Sequence, residues 1–351
     1  MAMKIKGRPL IGLDIGSRVI KAVEMVYAPK TEGYTITGYV HHEITPGEDI
    51  KETLKRIWAE HQFHTNKVVT SISGRSVIVR YITMPDMTDE ELKNAIKYEA
   101  SKYIPFEVDE VMIDCMRLPH IKKEESGGKP SKDITVLLVA AKRDKLDEHI
   151  TLLEESGLWP IAVDVDCFAM GNSFELKQLI NPSADIASKV TALVDIGAVK
   201  TNVNIMIGLQ VFFTREIYIA GNDFTEAIGK KMGLPENEAE QLKRNPALKA
   251  DEIKDYVSSL LDDLTHEIQL SFDYFEHQFD KPIDNIYLSG GASMLHGLEE
   301  TFDSTFNRKM IRWDPCETFE LVSDKIDPVE LKKKANQLAI AVGLASRVKK
   351  D

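Results

Sequence analysis

The sequence carries the same acidic turn twice, about half the chain apart. Residues 10–21 read LIGLDIGSRVIK and residues 193–205 read LVDIGAVKTNVNI. In both segments an apolar stretch typical of a buried strand ends in Asp-Ile-Gly, and a second strand pattern begins within a few residues. Because the chain has 351 residues, enough for two or more domains, the repeat predicts two related α/β domains that face one another.

The charge and the cysteines narrow the functional classes. The formal net charge of −12 argues against broad nucleic-acid binding, which needs a strongly positive surface. No stretch of about 18 consecutive apolar residues is present, and the first residues, MAMKIKGRPL, are too short and polar for a signal peptide. Cys115, Cys167 and Cys316 are isolated and odd in number, which is typical of free thiols in a reducing cytoplasm.

The first half contains a segment that differs from the repeat. Thr88 followed by Glu91 is a capping-box pattern, which predicts the start of a helix. Strand patterns follow it, then a polar loop at 120–133 that we expect to be a mobile hairpin tip, and a helix at about 144–156. We interpret residues 82–162 as a small α+β module inserted into the first domain.

The other segments follow an α/β order. Apolar periodicity predicts a helix at about 49–62, strands up to about 219 in the second half and helices across 222–278. Residues 285–300, NIYLSGGASMLHGLEE, predict a strand, a Gly-Gly turn and a helix. One last helix is predicted at about 328–348.

The chemistry of each Asp-Ile-Gly turn suits a metal–phosphate group. Asp14 and Asp195, at the ends of buried strands, would project carboxylates toward a cleft, and Mg²⁺ binds carboxylates directly or through its retained waters. Gly16 and Gly197 have no Cβ, so the backbone can approach a phosphate closely. The polar side chains that can donate to phosphate oxygens are Ser17, Lys21 and Thr201.

Each glycine-rich motif also has a plainer interpretation. A single Asp-Ile-Gly after a strand is more often only a structural turn, but two matched copies favour a grip on the phosphate tail of a nucleotide from both sides. The third motif, with Gly290 and Gly291, would place backbone and a helix N-terminus beside a base or ribose. Taken alone, that motif fits a packing turn equally well.

Together these motifs resemble those of the superfamily that contains actin, the heat-shock chaperones and the sugar kinases. DIGSRVIK is similar to its phosphate-1 motif, LVDIGAVKTNVNI to its phosphate-2 motif, and IYLSGGASMLHGL to its adenosine motif. VDVDCFAMG and LAIAVGLASR resemble its two connecting helices. The five motifs occur in the superfamily order and cover nearly the whole chain.

Within that superfamily the chain resembles the PilM family of type IV pilus assembly proteins, which is related to the cell-division protein FtsA. The stretch AIKYEASKYIPFEVDEVMID is similar to a segment typical of the family. The resemblance implies an actin-like ATPase fold: two related α/β domains around a nucleotide cleft, with an inserted small α+β subdomain called 1C. The implied division is a first actin-like domain (1A) at 8–81, 163–190 and 320–351, subdomain 1C at 82–162, and a second actin-like domain (2A/2B) at 191–319.

The resemblance also implies roles for single residues. Asp14 and Asp195 would hold Mg²⁺ through water, and Asp166 would lie near the attacking water. Actin has a further Asp in phosphate 2 where this chain has Ala198, so weak or absent ATP hydrolysis is implied. The residues implied to contact ATP or ADP are Gly16, Ser17, Lys21, Gly197 and Thr201 at the phosphates, Gly290 and Gly291 at the adenosine, and Glu240 and Lys243 at the ribose or base.

The implied function is that of a cytoplasmic ATP-binding scaffold at the inner face of the inner membrane. Its partner would be the N-terminal cytoplasmic peptide of the inner-membrane protein PilN, held in a groove between 1A and 1C around residues 85–110. Other inner-membrane pilus components are further expected partners, and self-association stays open.

Two alternative functions remain. A small-molecule kinase of the same superfamily would need a sugar-site signature, which the sequence does not show. An FtsA-like division protein would carry a membrane-binding helix behind a linker, whereas the sequence stops at ASRVKKD, which argues against that alternative.

Overall fold

The computed structural model describes residues 8–28, 33–119, 133–182, 185–308, 310–322 and 326–347. They form two compact units: the first contains the chain up to Ser71 and from Leu158 onwards, and the second is Ile72–Gly157. The polar loop predicted at 120–133 lies outside the described residues, apart from Asp133. Within the described ranges, no helix has the length and continuous apolar character needed to cross a bilayer.

Strands and helices are numbered here in chain order. The strands are β1 Leu10–Ile15, β2 Val19–Ala28, β3 Gly33–Glu43, β4 Lys67–Ile72, β5 Val77–Pro85, β6 Val111–Arg117, β7 Asp133–Lys142, β8 Trp159–Val165, β9 Val190–Ile196, β10 Thr201–Ile207, β11 Gln210–Ile217, β12 Asn285–Ser289, β13 Met310–Arg312 and β14 Glu320–Leu321. The α-helices are α1 Ile50–His61, α2 Asp89–Glu99, α3 Arg143–Glu155, α4 Asp166–Ile180, α5 Gly221–Met232, α6 Glu236–Arg244, α7 Ala250–Phe279, α8 Leu298–Phe306, α9 Pro328–Lys334 and α10 Ala339–Ala345.

The first unit contains two sheets of the same design. One has the order β14-β3-β2-β1-β4-β8 and the other β11-β10-β9-β12-β13; we call the parts built on them the first and second lobe. β1 pairs antiparallel with β2 and parallel with β4, just as β9 pairs antiparallel with β10 and parallel with β12. The next strand pairs also match: β2 with β3 and β10 with β11 are both antiparallel, and each has one register irregularity, after Glu24 in β2 and after Ile205 in β10. The two related α/β domains predicted from the repeated turn are thereby confirmed.

Two buried helices join these lobes. α4 leads from β8 of the first sheet to β9 of the second and packs against α10, which also packs on β1. The close approach needs glycine, because a Cβ on Gly343 would lie 1.7 Å from the carbonyl oxygen of Ala169. A Cβ on Gly12 would likewise lie 1.9 Å from the carbonyl oxygen of Ala341. These are the two segments that resemble connecting helices.

The single helix predicted at 328–348 is interrupted. A 3-10 turn, Ala335–Gln337, separates α9 from α10. The interruption frees Asn336 for tertiary hydrogen bonds: its carbonyl accepts the Gly290 N–H at 2.8 Å, and its side-chain amide donates to the Gly290 carbonyl at 3.1 Å. Contacts with the Gly-Gly turn therefore replace helical hydrogen bonds at this point.

The second unit is a three-stranded antiparallel sheet of order β5-β7-β6. The predicted capping box opens α2, because the Thr88 hydroxyl accepts the Glu91 N–H and the Glu91 carboxylate accepts the Thr88 N–H. Leu92 and Ile96 of this helix pack with Val136 of β7 in one apolar core. The core is thus built from the apolar face of one helix and one face of a small sheet.

The bounds of this unit differ from the predicted 82–162. β5 pairs along its whole length with β7 and so belongs to this unit, whose first residue is Ile72. β8 instead neighbours β4 in the six-stranded sheet, so the unit ends at Gly157. Sequence could not place these boundaries, because each strand has the same apolar pattern whichever sheet it joins.

Candidate functional site

The two Asp-Ile-Gly turns share one backbone geometry. The Gly16 N–H donates to the carbonyl of Val19 at 3.0 Å, and the Gly197 N–H donates to the carbonyl of Lys200 at 3.0 Å. A Cβ on either glycine would lie 2.9 Å from that same carbonyl oxygen, closer than van der Waals contact allows. Both turns therefore require glycine, and Ser17 follows the first one on the surface.

The carboxylates of both turns attract one cation, the ammonium group of Lys21. Its Nζ lies 2.5 Å from Asp14 Oδ2, and both side chains are largely buried. Burial alone would lower the pKa of Lys21, but the attraction of Asp14, and after it of Asp195 and Asp166, raises that pKa above its usual value. Because Asp14 belongs to the first lobe and Asp195 to the second, this ammonium group marks where the lobes meet.

Asp195 has a partner that the sequence did not suggest. The hydroxyl of Ser289 donates to Asp195 Oδ2 at 2.8 Å, because β9 and β12 are parallel and pair these two residues in register. Burial raises the pKa of Asp195, and the charge of Lys21 opposes that rise. The only sequence signal for Ser289 is its place directly before the Gly-Gly turn.

Asp166, at the start of α4, is held by the second hairpin. Its Oδ2 lies 2.7 Å from Lys200 Nζ and accepts the side-chain amide of Asn202 at 3.2 Å. The side chain of Asn204, two residues further along β10, donates to the Cys167 carbonyl. The connecting helix α4 is thus anchored on β10 by side chains that sequence reasoning had not assigned to the site.

Thr201 lies on the opposite face of β10 from this cluster. Asp195 pairs with Asn202, so the alternation of side chains along a strand turns Thr201 the other way. Its buried hydroxyl donates to the carbonyl of Ile219 at 2.8 Å. The prediction that Thr201 contacts the phosphates stays a prediction, and Asn202 is the residue that stands opposite the aspartate, as Lys21 does in the first hairpin.

The two glycines of the Gly-Gly turn have different surroundings. Gly290 is buried with φ +92°, and a Cβ there would lie 2.3 Å from the carbonyl oxygen of Ile196. Gly290 thus packs against the second hairpin on the side where a Cβ would project. Gly291 is exposed, with the side chain of Gln337 nearby, and it is the member of the pair that a ligand could reach.

Glu240 and Lys243 form an ion pair on α6, with Nζ 2.6 Å from Glu240 Oε2. Lys243 also donates to the Gly221 carbonyl and to Thr225 Oγ1, both at 2.8 Å. Burial by itself would raise the pKa of Glu240, but the charge and hydrogen bond of Lys243 lower it to about 2. The pair is connected to the second turn, because the Gly221 N–H donates to the Gly197 carbonyl at 3.0 Å.

Both ends of α6 reach across to the first lobe. At its start, Glu236 pairs with Arg18 of the first turn, which also donates from Nε to Asn222 Oδ1 at 2.8 Å. At its end, Arg244 lies 2.8 Å from Glu43 at the end of β3. These partners are far apart in sequence, so no local pattern could have predicted them.

The fit of a metal to this site can be judged from its donors. Among the residues that the structure describes, no group of three or more His, Cys, Asp or Glu side chains could hold a metal ion. Asp14 and Asp195 supply two carboxylates acting on a common ammonium group. That set does not suit a cation stripped of water, but it fits Mg²⁺, which keeps several waters and is held by one or two carboxylates together with phosphates.

Several solved structures have a fold similar to that of this chain, and one of them superposes with a high TM-score. A PilM–PilN type IV pilus biogenesis complex contains a chain that is 26% identical, with a TM-score of 0.84 over 97% of this chain and 99% of that chain. The ethanolamine utilization protein EutJ of Carboxydothermus hydrogenoformans is 11% identical, with a TM-score of 0.52 over 98% and 91%. MreB 5 of Spiroplasma citri bound to AMPPNP is 13% identical, with a TM-score of 0.50 over 97% and 95%.

The last two similarities show the fold alone, which is the actin-like ATPase fold expected from the motifs. The sequence model of one family, described as type IV pilus assembly protein PilM, matches residues 12–349. That range includes both Asp-Ile-Gly turns, the second unit and the connecting helices. The chain therefore belongs to the family of the type IV pilus assembly protein PilM.

Proposed function

We propose that this chain is a nucleotide-binding scaffold of type IV pilus assembly, which holds Mg²⁺–ATP or Mg²⁺–ADP between its two hairpins and binds PilN. The nucleotide part is carried by one observation: each Asp-Ile-Gly turn supplies one buried aspartate, Asp14 and Asp195, and Lys21 is in contact with the first of them. Because Asp166 is paired with Lys200, Asp14 and Asp195 have Lys21 as their nearby cation, and the remaining negative charge is one that a divalent cation offsets. A similar fold, that of MreB 5, was solved with AMPPNP.

In this proposal each part of the site has a separate role. Asp14 and Asp195 accept hydrogen bonds from the waters of the metal, whose charge balances that of the phosphates. Lys21 turns from Asp14 to the phosphate oxygens, as an ammonium group on a flexible stem can do. The other residues of the proposed nucleotide site are Gly16, Ser17 and Gly197 at the phosphates, and Gly291, Glu240 and Lys243 at the nucleoside.

Hydrolysis at this site is proposed to be slow. Positioning of water and stabilisation of charge dominate phosphoryl transfer. Ala198 brings no polar group to the second turn, and Asp166, the proposed water-positioning residue, is already in contact with Lys200. The scaffold would then respond to which nucleotide is bound more than to turnover.

Thermal unfolding of the full chain tests the nucleotide part. At about 100 times its Kd, Mg²⁺–ATP should stabilise the folded state by about 2.7 kcal/mol. Adenosine, which lacks phosphates, serves as the matched ligand and should give a much smaller gain, as should ATP with a chelator in place of Mg²⁺. If ATP, ADP and adenosine all leave the unfolding temperature unchanged, the site does not bind nucleotide.

The proposed partner is the N-terminal cytoplasmic tail of PilN. Support comes from family membership and from the similar chain solved in a PilM–PilN complex. Attachment to the inner membrane would follow through PilN, while other pilus components and self-association remain further proposals. On the second unit, residues 85–110 include Tyr98, whose side chain on α2 is 81% exposed. An exposed tyrosine of this kind is a common anchor at protein interfaces.

Peptide binding tests the partner. A labelled peptide of the PilN tail should bind the full chain in fluorescence anisotropy, and Tyr98→Ser should weaken that binding about tenfold, the equivalent of about 1.4 kcal/mol. Tyr274→Ser is the matched control, because Tyr274 is a 60% exposed tyrosine on α7 of the first unit. Equal affinity of both variants and the parent chain would remove the α2 surface from the interface.

The family match favours this function over the two alternatives. No observation at the site points to a small-molecule substrate or to a role in cell division. Screening the chain for ATP-dependent phosphorylation of sugars or acetate would be the direct test of the kinase alternative.

A further inference from the structure

A second lysine of the site, Lys200, has partners that differ from those of Lys21. Its Nζ lies 2.7 Å from Asp166 Oδ2 and 2.5 Å from Glu216 Oε1. The side chains of Lys200 and Asp166 are 17% and 8% exposed. Because little water separates or screens the two charges, their attraction is much stronger than that of a surface pair. The superfamily motifs imply no role for Lys200.

Both oxygens of Asp166 are engaged in this arrangement. Oδ1 accepts the Cys167 N–H at 2.7 Å, and Oδ2 accepts the Asn202 amide at 3.2 Å in addition to its contact with Lys200. A carboxylate that positions a water or takes its proton must offer a lone pair in the right direction and sufficient basicity. The ammonium group in direct contact occupies Oδ2. Burial raises the pKa of Asp166 and the charge of Lys200 only opposes that rise, so the contact limits access to the lone pair rather than basicity.

The partners of Lys200 also argue against a phosphate contact. Asp166 is the first residue of α4 and Glu216 lies near the end of β11. Glu216 in turn accepts a hydrogen bond from the Tyr218 hydroxyl at 2.9 Å. The charged chain therefore leads from a buried carboxylate to an exposed tyrosine, and Asp14 and Asp195 are not among its members.

We propose that Lys200 is a positioning residue that restrains phosphoryl transfer, because its ion pair withholds Asp166 from the attacking water. The inference rests on the proposed binding of ATP. In the restrained step, the oxygen of water forms a bond to the terminal phosphorus and the bond to the bridging oxygen breaks. ADP leaves, and the proton of the water passes to the Asp166 carboxylate and then to solvent. With Lys200 in contact, Oδ2 of that carboxylate is occupied by the ammonium group.

The test compares Lys200→Gln with the double variant Lys200→Gln/Asp166→Asn. We expect Lys200→Gln to hydrolyse ATP about tenfold faster, within the roughly 10²- to 10⁴-fold that a positioned base contributes. The double variant should fall back to the parent rate. Glu216→Gln, which leaves Asp166 as the remaining carboxylate partner of Lys200 in this triad, should lower the rate. Lys230→Gln is the matched control, since that lysine is exposed on α5 and its loss should change nothing.

A measurement without nucleotide checks that the pair exists. Urea unfolding is compared for the parent chain, Lys200→Gln, Asp166→Asn and the double variant. The two single substitutions should lower the free energy of unfolding by amounts that are less than additive in the double variant, because either one breaks the same pair. Additive losses would contradict the contact between Lys200 and Asp166.

Three outcomes overturn the proposal, and they can be told apart. Unchanged or slower hydrolysis by a folded, ATP-binding Lys200→Gln variant shows that Lys200 does not restrain the reaction. Faster hydrolysis that persists in the double variant shows that Asp166 is not the group released. A loss of ATP affinity without loss of ADP affinity makes Lys200 a phosphate ligand. If the parent chain itself gives no thermal shift with ATP, the proposed nucleotide site fails instead, and this inference fails with it.

Discussion

The two hairpins of the first unit are copies in backbone but not in chemistry. Both place an aspartate at the end of a buried strand, and in both a glycine N–H closes the turn at 3.0 Å. The residue paired with the aspartate is Lys21 in the first hairpin and Asn202 in the second. The second hairpin carries its cation two residues earlier, at Lys200, where it meets Asp166 instead of its own aspartate.

This difference shows how a duplicated scaffold can divide its tasks. The turn geometry is fixed by sterics, so glycine and the strand pattern recur in both copies. The side chains around the turn are not constrained in this way, and they have diverged. As a result the first hairpin pairs its cation with its own aspartate, whereas the second uses its cation to hold the connecting helix α4.

The largest effect is expected from the two aspartates, which the comparison treats as equivalent. Asp14→Asn and Asp195→Asn should each abolish most of the roughly 2.7 kcal/mol that saturating Mg²⁺–ATP is expected to add to stability, because each removes one of the two carboxylates proposed to hold the metal. Thermal unfolding with and without ligand measures this. If one variant keeps the full stabilisation by Mg²⁺–ATP, only the other aspartate takes part in binding, and the two hairpins are not equivalent.

The glycines test whether the two turns are truly the same. Gly16→Ala and Gly197→Ala should each lower the free energy of unfolding by about 2 kcal/mol, since each Cβ would lie 2.9 Å from a backbone oxygen, and overpacking of this kind costs about 1–3 kcal/mol. Urea unfolding gives the values, with Ser17→Ala as the exposed control in the same turn. Clearly unequal losses would show that one turn can relax where the other cannot.

The two lysines should separate in their effect on ATP binding. Lys21→Met should weaken ATP about tenfold, or about 1.4 kcal/mol, and leave adenosine nearly unchanged, because only ATP has phosphates for it to contact. Lys200→Gln should leave ATP affinity unchanged. Calorimetric titration with both ligands checks this, and a matching loss of ATP affinity in the two variants would mean that the hairpins have not diverged.

The smallest effect is expected from substitutions at one pair of equivalent positions, Arg18 in the first turn and Val199 in the second. Arg18 of the first lobe pairs with Glu236 of the second, whereas Val199 is an exposed apolar residue. Exposed ion pairs contribute about 0.2–1 kcal/mol, so Arg18→Ala should speed the release of a fluorescent ADP two- to threefold at low salt. Val199→Ala should not change it, and a salt-independent effect of Arg18→Ala would exclude an electrostatic cause.

Local patterns predicted the parts of the site that sterics and periodicity control. The Asp-Ile-Gly repeat predicted two related lobes, and the spacing of Thr88 and Glu91 predicted the start of α2. Each of these features depends on residues close in sequence, whose geometry is nearly the same in any fold. Local patterns did not predict Asn202, because its place opposite Asp195 depends on the register of the folded hairpin.

The sequence by itself determined that the chain has two glycine-closed acidic hairpins, a separate α+β unit and buried connecting helices. Only the tertiary structure decided that Lys21 lies among carboxylates of both lobes, that Gly290 packs on Ile196, and that Lys200 holds Asp166. The physical reason is one of range. Turns and apolar periodicity are set by neighbouring residues, whereas the partner of a buried charge is set by the packing of segments far apart in the chain.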